Sequence, residues 1–95
     1  MRISYVNTEE MEEIANEVMS ITNDLEVEFD AFFTRLNNVP EVTKEWTGGQ
    51  ANYYFSVVAF EKQYYVNLIE TLRELSQELN HEAAEIQSAI AANNT

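Results

Sequence analysis

Two long stretches of this chain keep apolar side chains at steps of three and four, and only one short segment between them breaks the pattern. In the first stretch Met11, Ile14, Val18, Ile21, Leu25, Phe29, Phe32, Leu36 and Val39 recur at the helical period. The consecutive four-residue steps at Leu25 and Phe29 are a small stutter in a stripe that is otherwise heptad-like. In the second stretch the inner stripe is Ala51, Phe55, Val58, Tyr65, Leu68, Leu72, Leu75, Leu79, Ala83, Ile86 and Ile90. A further stripe of Tyr53, Val57, Phe60 and Tyr64 runs beside its first half, so the apolar face is wider than one partner helix can cover. A chain of this pattern is all-α, a two-helix antiparallel hairpin.

Local signals place the ends of the two helices. Residues 2 to 6 read as extended, with Ile3 and Tyr5 alternating against polar neighbours. Asn7 reads as an N-cap with Glu10 completing a capping box, and Val6 and Met11 stand where a hydrophobic staple would be. The first helix is therefore predicted over about 8–37, on the order of 45 Å long at 1.5 Å per residue. Asn37, Asn38 and Pro40 close it, since Asn suits a C-cap and Pro cannot continue the backbone ladder. The bend is placed at about 38–49. It ends in Gly48-Gly49, the only glycines in the chain, read as flexible backbone where the reversal demands it. The second helix follows over about 50–92, and residues 1–95 form a single helical-hairpin domain.

Composition says what such a hairpin would need. Of the 95 residues, 45% are apolar and 12% aromatic, more apolar surface than one hairpin hides, so a partner is expected. Five Lys and Arg against 17 Asp and Glu give a formal charge of −12, which repels phosphate backbones and anionic lipid. Nucleic acid is excluded as a partner on that ground. No apolar run approaches the length that spans a membrane, so no stable membrane insertion is expected. Without cysteine there is no disulfide framework and no thiolate metal or redox chemistry. The start Met1-Arg2-Ile3-Ser4-Tyr5-Val6 lacks the apolar core of a Sec-type signal peptide, so export would need another route.

Few residues carry chemistry. Trp46 stands at the bend, read both as a plug for the open end of the hairpin and as a ring offered to a receptor. His81 and Glu85 are one helical turn apart, a spacing that suits a metal pair. Nothing nearby adds nitrogen or sulfur ligands, so they read as surface residues and no metal or cofactor is expected. Tyr53, Tyr54, Tyr64 and Tyr65, like Phe29, Phe32 and Phe33, read as core and dimer packing. The row Glu70, Glu74, Glu78 and Glu82 reads first as a solvated face, and second as a ridge for a basic groove. With the single histidine on a charged helix, no nucleophile–base set is credible and an enzyme is not expected.

Taken together, the extended start, the segment Val6-Asn7-Thr8-Glu9-Glu10-Met11 with Ala15 following, the long first helix, Trp46-x-Gly48, and Ala51 and Phe55 resemble a known family. The chain is similar over nearly its whole length to the WxG family of small type VII secretion proteins, the ESAT-six-like proteins of Gram-positive bacteria. The resemblance implies a hairpin with a Trp-x-Gly bend that dimerises into a four-helix bundle and leaves the cell without a cleaved leader. It also implies that the Trp-x-Gly bend of one subunit and a tail motif Tyr-x-x-x-Asp/Glu of the other form the export signal. Here the nearest fit to that tail is His81-x-x-x-Glu85, with histidine in the tyrosine position, and a heterodimer partner could supply a complete one. Gly48-Gly49 before Gln50-Ala51 reads as a one-residue lengthening of the bend relative to some members.

The expected function is that of a small type VII secretion substrate, cytoplasmic before export and extracellular after it, acting as a dimeric bundle and as a possible export companion. Trp46, Gly48, His81 and Glu85 are the expected recognition residues, and the secretion ATPase the expected machinery. Ile14, Val18, Ile21, Leu25, Phe29, Phe32, Phe55, Val58, Tyr65, Leu68, Leu72 and Leu79 are expected to pack the core and the dimer. The dimer partner is a second copy or a related WxG protein. The alternative is an intracellular adaptor whose apolar helical face pairs with a larger secreted toxin.

Overall fold

The computed structural model describes residues 7–42 and 45–93. It is all-helical there: α1 spans Thr8–Asn37, a four-residue α2 spans Val39–Val42, and α3 spans Gly48–Asn93. The extended start and the Val6 arm of the staple lie outside the described residues. α2 falls inside the stretch read as bend, and α3 begins at Gly48, also within that stretch.

Both ends of α1 are fixed by named groups. The Asn7 side chain accepts a hydrogen bond from Glu10 N at 2.9 Å, and the Asn7 carbonyl accepts from Met11 N, so Asn7 caps α1. At the other end of α1, Asn38 N donates to Arg35 O at 3.1 Å, tightening the last turn. Leu36 O is also among the final carbonyls with no helical partner, and the Tyr54 hydroxyl donates to it at 2.8 Å. Pro40 is tolerated because it lies in the first turn of α2, where its missing N–H is not needed.

The chain divides into two compact units, residues 1–22 with 71–95 and residues 23–70. In the first, the start of α1 lies antiparallel to the end of α3. Ser76 Oγ donates to Ala15 O at 2.7 Å, and Gln87 Nε2 reaches Thr8 Oγ1 at 3.0 Å and Glu12 Oε1 at 3.1 Å. Among its described residues the buried ones are all small: Ala15 and Thr22 on α1, Ser76 and Ala83 on α3, each pair seven residues apart. Small side chains let two backbones approach until a hydroxyl on one helix meets a carbonyl of the other. Burying Thr22 and Ser76 leaves no polar atom unpaired, since Thr22 Oγ1 donates to Val18 O at 2.6 Å.

In the second unit the end of α1 lies antiparallel to the start of α3, and the seam is aromatic. Tyr65 packs against Phe29 and Phe33, with ring centroids 4.6 and 5.6 Å away. Phe33, Val58 and Ile69 are its buried apolar residues. Here the spacing changes: Thr22 to Phe33 on α1 and Val58 to Ile69 on α3 are steps of eleven rather than seven. A step of eleven is a heptad with four residues added, which returns the buried positions to the natural period of a straight helix. The four-residue stutter at Leu25 and Phe29 falls within that step on α1.

Candidate interaction surface and corner site

Several large apolar side chains flank the buried seam instead of filling it, even in the second unit, where Phe33, Val58 and Ile69 are buried. Ile14, Ile21 and Phe32 on α1 are exposed, and each immediately precedes a buried residue: Ala15, Thr22 and Phe33. The rule repeats on α3, where exposed Val57, Leu68 and Leu75 precede buried Val58, Ile69 and Ser76. Phe32 is 53% exposed and Phe33 3%, so one step along the chain separates surface from core. One residue is a rotation of about 100° around a helix. For two antiparallel right-handed helices, the position before the seam falls on the same side of both. Within each unit the exposed apolar residues that directly precede a buried one therefore share one flank: Ile14, Ile21 and Leu75 in the first, Phe32, Val57 and Leu68 in the second; Val27, Phe55 and Val66 are also exposed but lie off it. Tyr53, Phe60 and Tyr64 widen the flank of the second unit, and Phe60 is 75% exposed.

That offset sets where the expected packing residues lie. Val58 is buried; Val18, Leu25, Phe29, Tyr65, Leu72 and Leu79 are half-buried; Ile14, Ile21, Phe32, Phe55 and Leu68 are exposed. Sequence reasoning followed the apolar stripe and so placed Ala83 on it, which is buried, but passed over Thr22 and Ser76, did not place Ala15 in the core, and chose Leu68 where its neighbour Ile69 is buried. A usable signal was present: Ala15 and Thr22, and Ser76 and Ala83, repeat small side chains at seven residues.

The second site is the corner before α3. Thr47 and Gln50 form a reciprocal capping box: Gln50 N donates to Thr47 Oγ1 at 3.2 Å, and Thr47 N donates to Gln50 Oε1 at 2.8 Å. Ala51 N closes the first turn on Thr47 O at 3.0 Å. The middle residue of Trp46-Thr47-Gly48 is thus a helix cap. Thr-x-x-Gln at a helix start was legible in the sequence and was missed. The glycines do not serve as flexible backbone in the reversal, as the bend reading expected. Both lie in the first turn of α3, and neither has a positive φ. A Cβ at Gly48 would meet nothing within 4 Å, and one at Gly49 only Thr47 Oγ1 at 3.9 Å.

Trp46 is half-buried, its ring edge-on to Tyr54 with centroids 5.1 Å apart. Tyr54 is held in turn by its bond to Leu36 O, so the indole rests on a fixed ring. Among the described residues, Trp46, Thr47, Gly49, Gln50, Tyr53, Tyr54 and Val57 line an open groove of about 680 Å³.

His81 and Glu85 belong to the other unit. His81 Nε2 and Glu85 Oε1 are 3.0 Å apart, with both side chains more than 60% exposed. Glu70, Glu74, Glu78 and Glu82 are all exposed. Among the described residues no group of three or more His, Asp or Glu side chains is placed to hold a metal ion. No described helix is long and apolar enough to cross a membrane. In comparisons with protein-family models, curated proteins and solved structures, none matches this chain.

Proposed function

We propose that this chain is a binding and assembly protein rather than a catalyst: a small type VII secretion substrate that works as a dimeric helical bundle. The observation that carries the reading is the apolar flank. Each unit closes its own seam with small or ring-packed residues and leaves Ile, Leu, Phe and Tyr side chains in water beside it. A second helical pair laid on that flank removes them from water, and an obligate interface of this kind buries roughly 2,000 Å² or more. Knobs-into-holes packing between helices suits side chains spaced by threes and fours. In this reading Trp46, seated on Tyr54 beside a capped helix start, is the feature that secretion machinery recognises. The exposed His81 and Glu85 serve as an incomplete tail signal that a related partner would complement.

The test is where the protein goes and in what company. The reading expects the chain in the culture medium of its own cells, and its loss from the medium when the secretion ATPase is deleted. Recovery from the cytosol only in complex with a larger helical protein would replace it with an adaptor role.

A further inference from the structure

We infer that the occupant of the apolar flank is a second copy of this chain, and that Arg35 is the residue that keys the pairing: its guanidinium meets carboxylates beside the other unit's flank. The inference rests on the proposed dimer and adds to it which surfaces of the two copies meet. Arg35 is exposed and lines an open groove of about 320 Å³ with Phe32, Leu36 and Val39, so its charge stands beside a residue of the flank. The residues three and four positions from it are Ala31, Phe32, Asn38 and Val39, none of them acidic, so it has no carboxylate at helical ion-pairing distance in sequence. Lys62 and Arg73 do not share that side. Lys62 follows buried Val58 by four residues and Arg73 precedes buried Ser76 by three, rotations of about 40° and 60° away from the flank.

The complement lies in the other unit. Glu17 follows Ile14 by three residues and precedes Ile21 by four, which puts it on their side of α1. Glu82 directly precedes buried Ala83, the position that carries the flank elsewhere on α3. Both are exposed. Glu28 and Glu61 share the flank of the second unit with Arg35, so that flank is mixed in sign, while Glu17 and Glu82 make the flank of the first unit acidic. A second copy can lie like unit on like unit, or each unit on the other. The first arrangement sets Glu17 and Glu82 against themselves and Arg35 against Arg35. The second brings Arg35 to Glu17 and Glu82, twice over because the two copies are identical. Like charges brought together across an interface are costly and opposite ones fix its register, so the crossed arrangement is preferred. One chain carries both halves of this match, and a second copy completes it.

Self-association of the full chain is measured by sedimentation equilibrium at low salt, with circular dichroism of every variant. Arg35→Glu should weaken it about tenfold or more, while Lys62→Glu, the same charge change in the same unit, should alter it by less than about twofold. Glu17→Arg combined with Glu82→Arg should weaken it too, although these changes lower the acidic charge of the chain. Mixed with the Arg35→Glu chain, that double variant should pair about as tightly as the parent, since both contacts are then restored. Where a reversal costs helix, glutamine at the same position is read instead. Equal weakening by Arg35→Glu and Lys62→Glu, no response to Arg35→Glu, or mixing that restores nothing would overturn the inference and leave the dimer standing. A parent that stays single at micromolar concentration would overturn both and give the flank to a related protein.

Discussion

The hydroxyl of Ser76 donates to the backbone carbonyl of Ala15 at 2.7 Å, joining α3 to α1 across a seam where the buried side chains described are small: Ala15, Thr22, Ser76 and Ala83. A side chain as short as serine reaches another helix's backbone only if the two helices nearly touch. Close approach leaves no room for Ile14, Ile21 or Leu75 between them, so these lie outside on the flank.

This seam makes two substitutions differ in kind. Ser76→Ala removes one hydrogen bond and keeps the fit, and should cost about 0.5–1.5 kcal/mol. Ser76→Leu forces extra volume between the backbones and should cost about 1–3 kcal/mol. Urea unfolding followed by circular dichroism, at one fixed protein concentration, should rank the leucine variant well below the alanine variant. Equal loss would mean that the helices do not meet closely at Ser76.

The Thr47 cap predicts a loss at the start of α3. Thr47→Ala removes the acceptor for Gln50 N and should destabilise by about 1 kcal/mol, while Thr47→Asp, which supplies an equivalent oxygen, should recover most of it. The same unfolding assay reads both. An alanine variant as stable as the parent would show that the first turn of α3 does not depend on this side chain.

Gly48 separates folding from recognition. It is helical, lacks a positive φ, and leaves space for a Cβ. Gly48→Ala should therefore leave the chain folded and stabilise it by about 0.4–1 kcal/mol, because the unfolded chain loses freedom. If the corner is the recognition element, secretion should still fall in this variant. Stability and export moving in opposite directions is the expected result, and export at the parent level would remove Gly48 from the recognition surface.

How much of this was legible in the sequence differs between the helices and the seam. The threes-and-fours rhythm named both helices, and Asn7 was readable as a cap because a side-chain oxygen sits three residues before an amide that needs one. The stutter at Leu25 and Phe29 was visible too, and it falls in the eleven-residue step between Thr22 and Phe33. The seam itself was hidden by residue type. Burial was expected along apolar stripes, Ala83 among them, but where the Ser76 hydroxyl meets the Ala15 carbonyl the seam buries Thr22 and Ser76 as well. The one-residue offset from Ile21 to Thr22 turns a core stripe into an exposed flank. At the corner, two glycines suggested flexible backbone at the reversal, although Thr47 and Gln50 already carried the signature of a helix start.

The flank predicts where a single charge is harmful. Ile21 and Phe60 are 58% and 75% exposed, so in a chain acting alone Ile21→Asp or Phe60→Asp should change stability by about 0.5 kcal/mol or less. In an assembled bundle each would place an unpaired carboxylate in an apolar interface at a cost of about 3–5 kcal/mol. Sedimentation velocity at matched concentrations should show both variants shifted towards the single-chain species while the parent stays assembled.

The account depends on that flank being covered, and the mass of the purified protein at micromolar concentration tests it most directly. Light scattering should give twice the chain mass, with circular dichroism showing full helix. A single-chain mass with the helix retained would mean that the exposed Ile, Leu, Phe and Tyr side chains tolerate water unaided, contradicting the account.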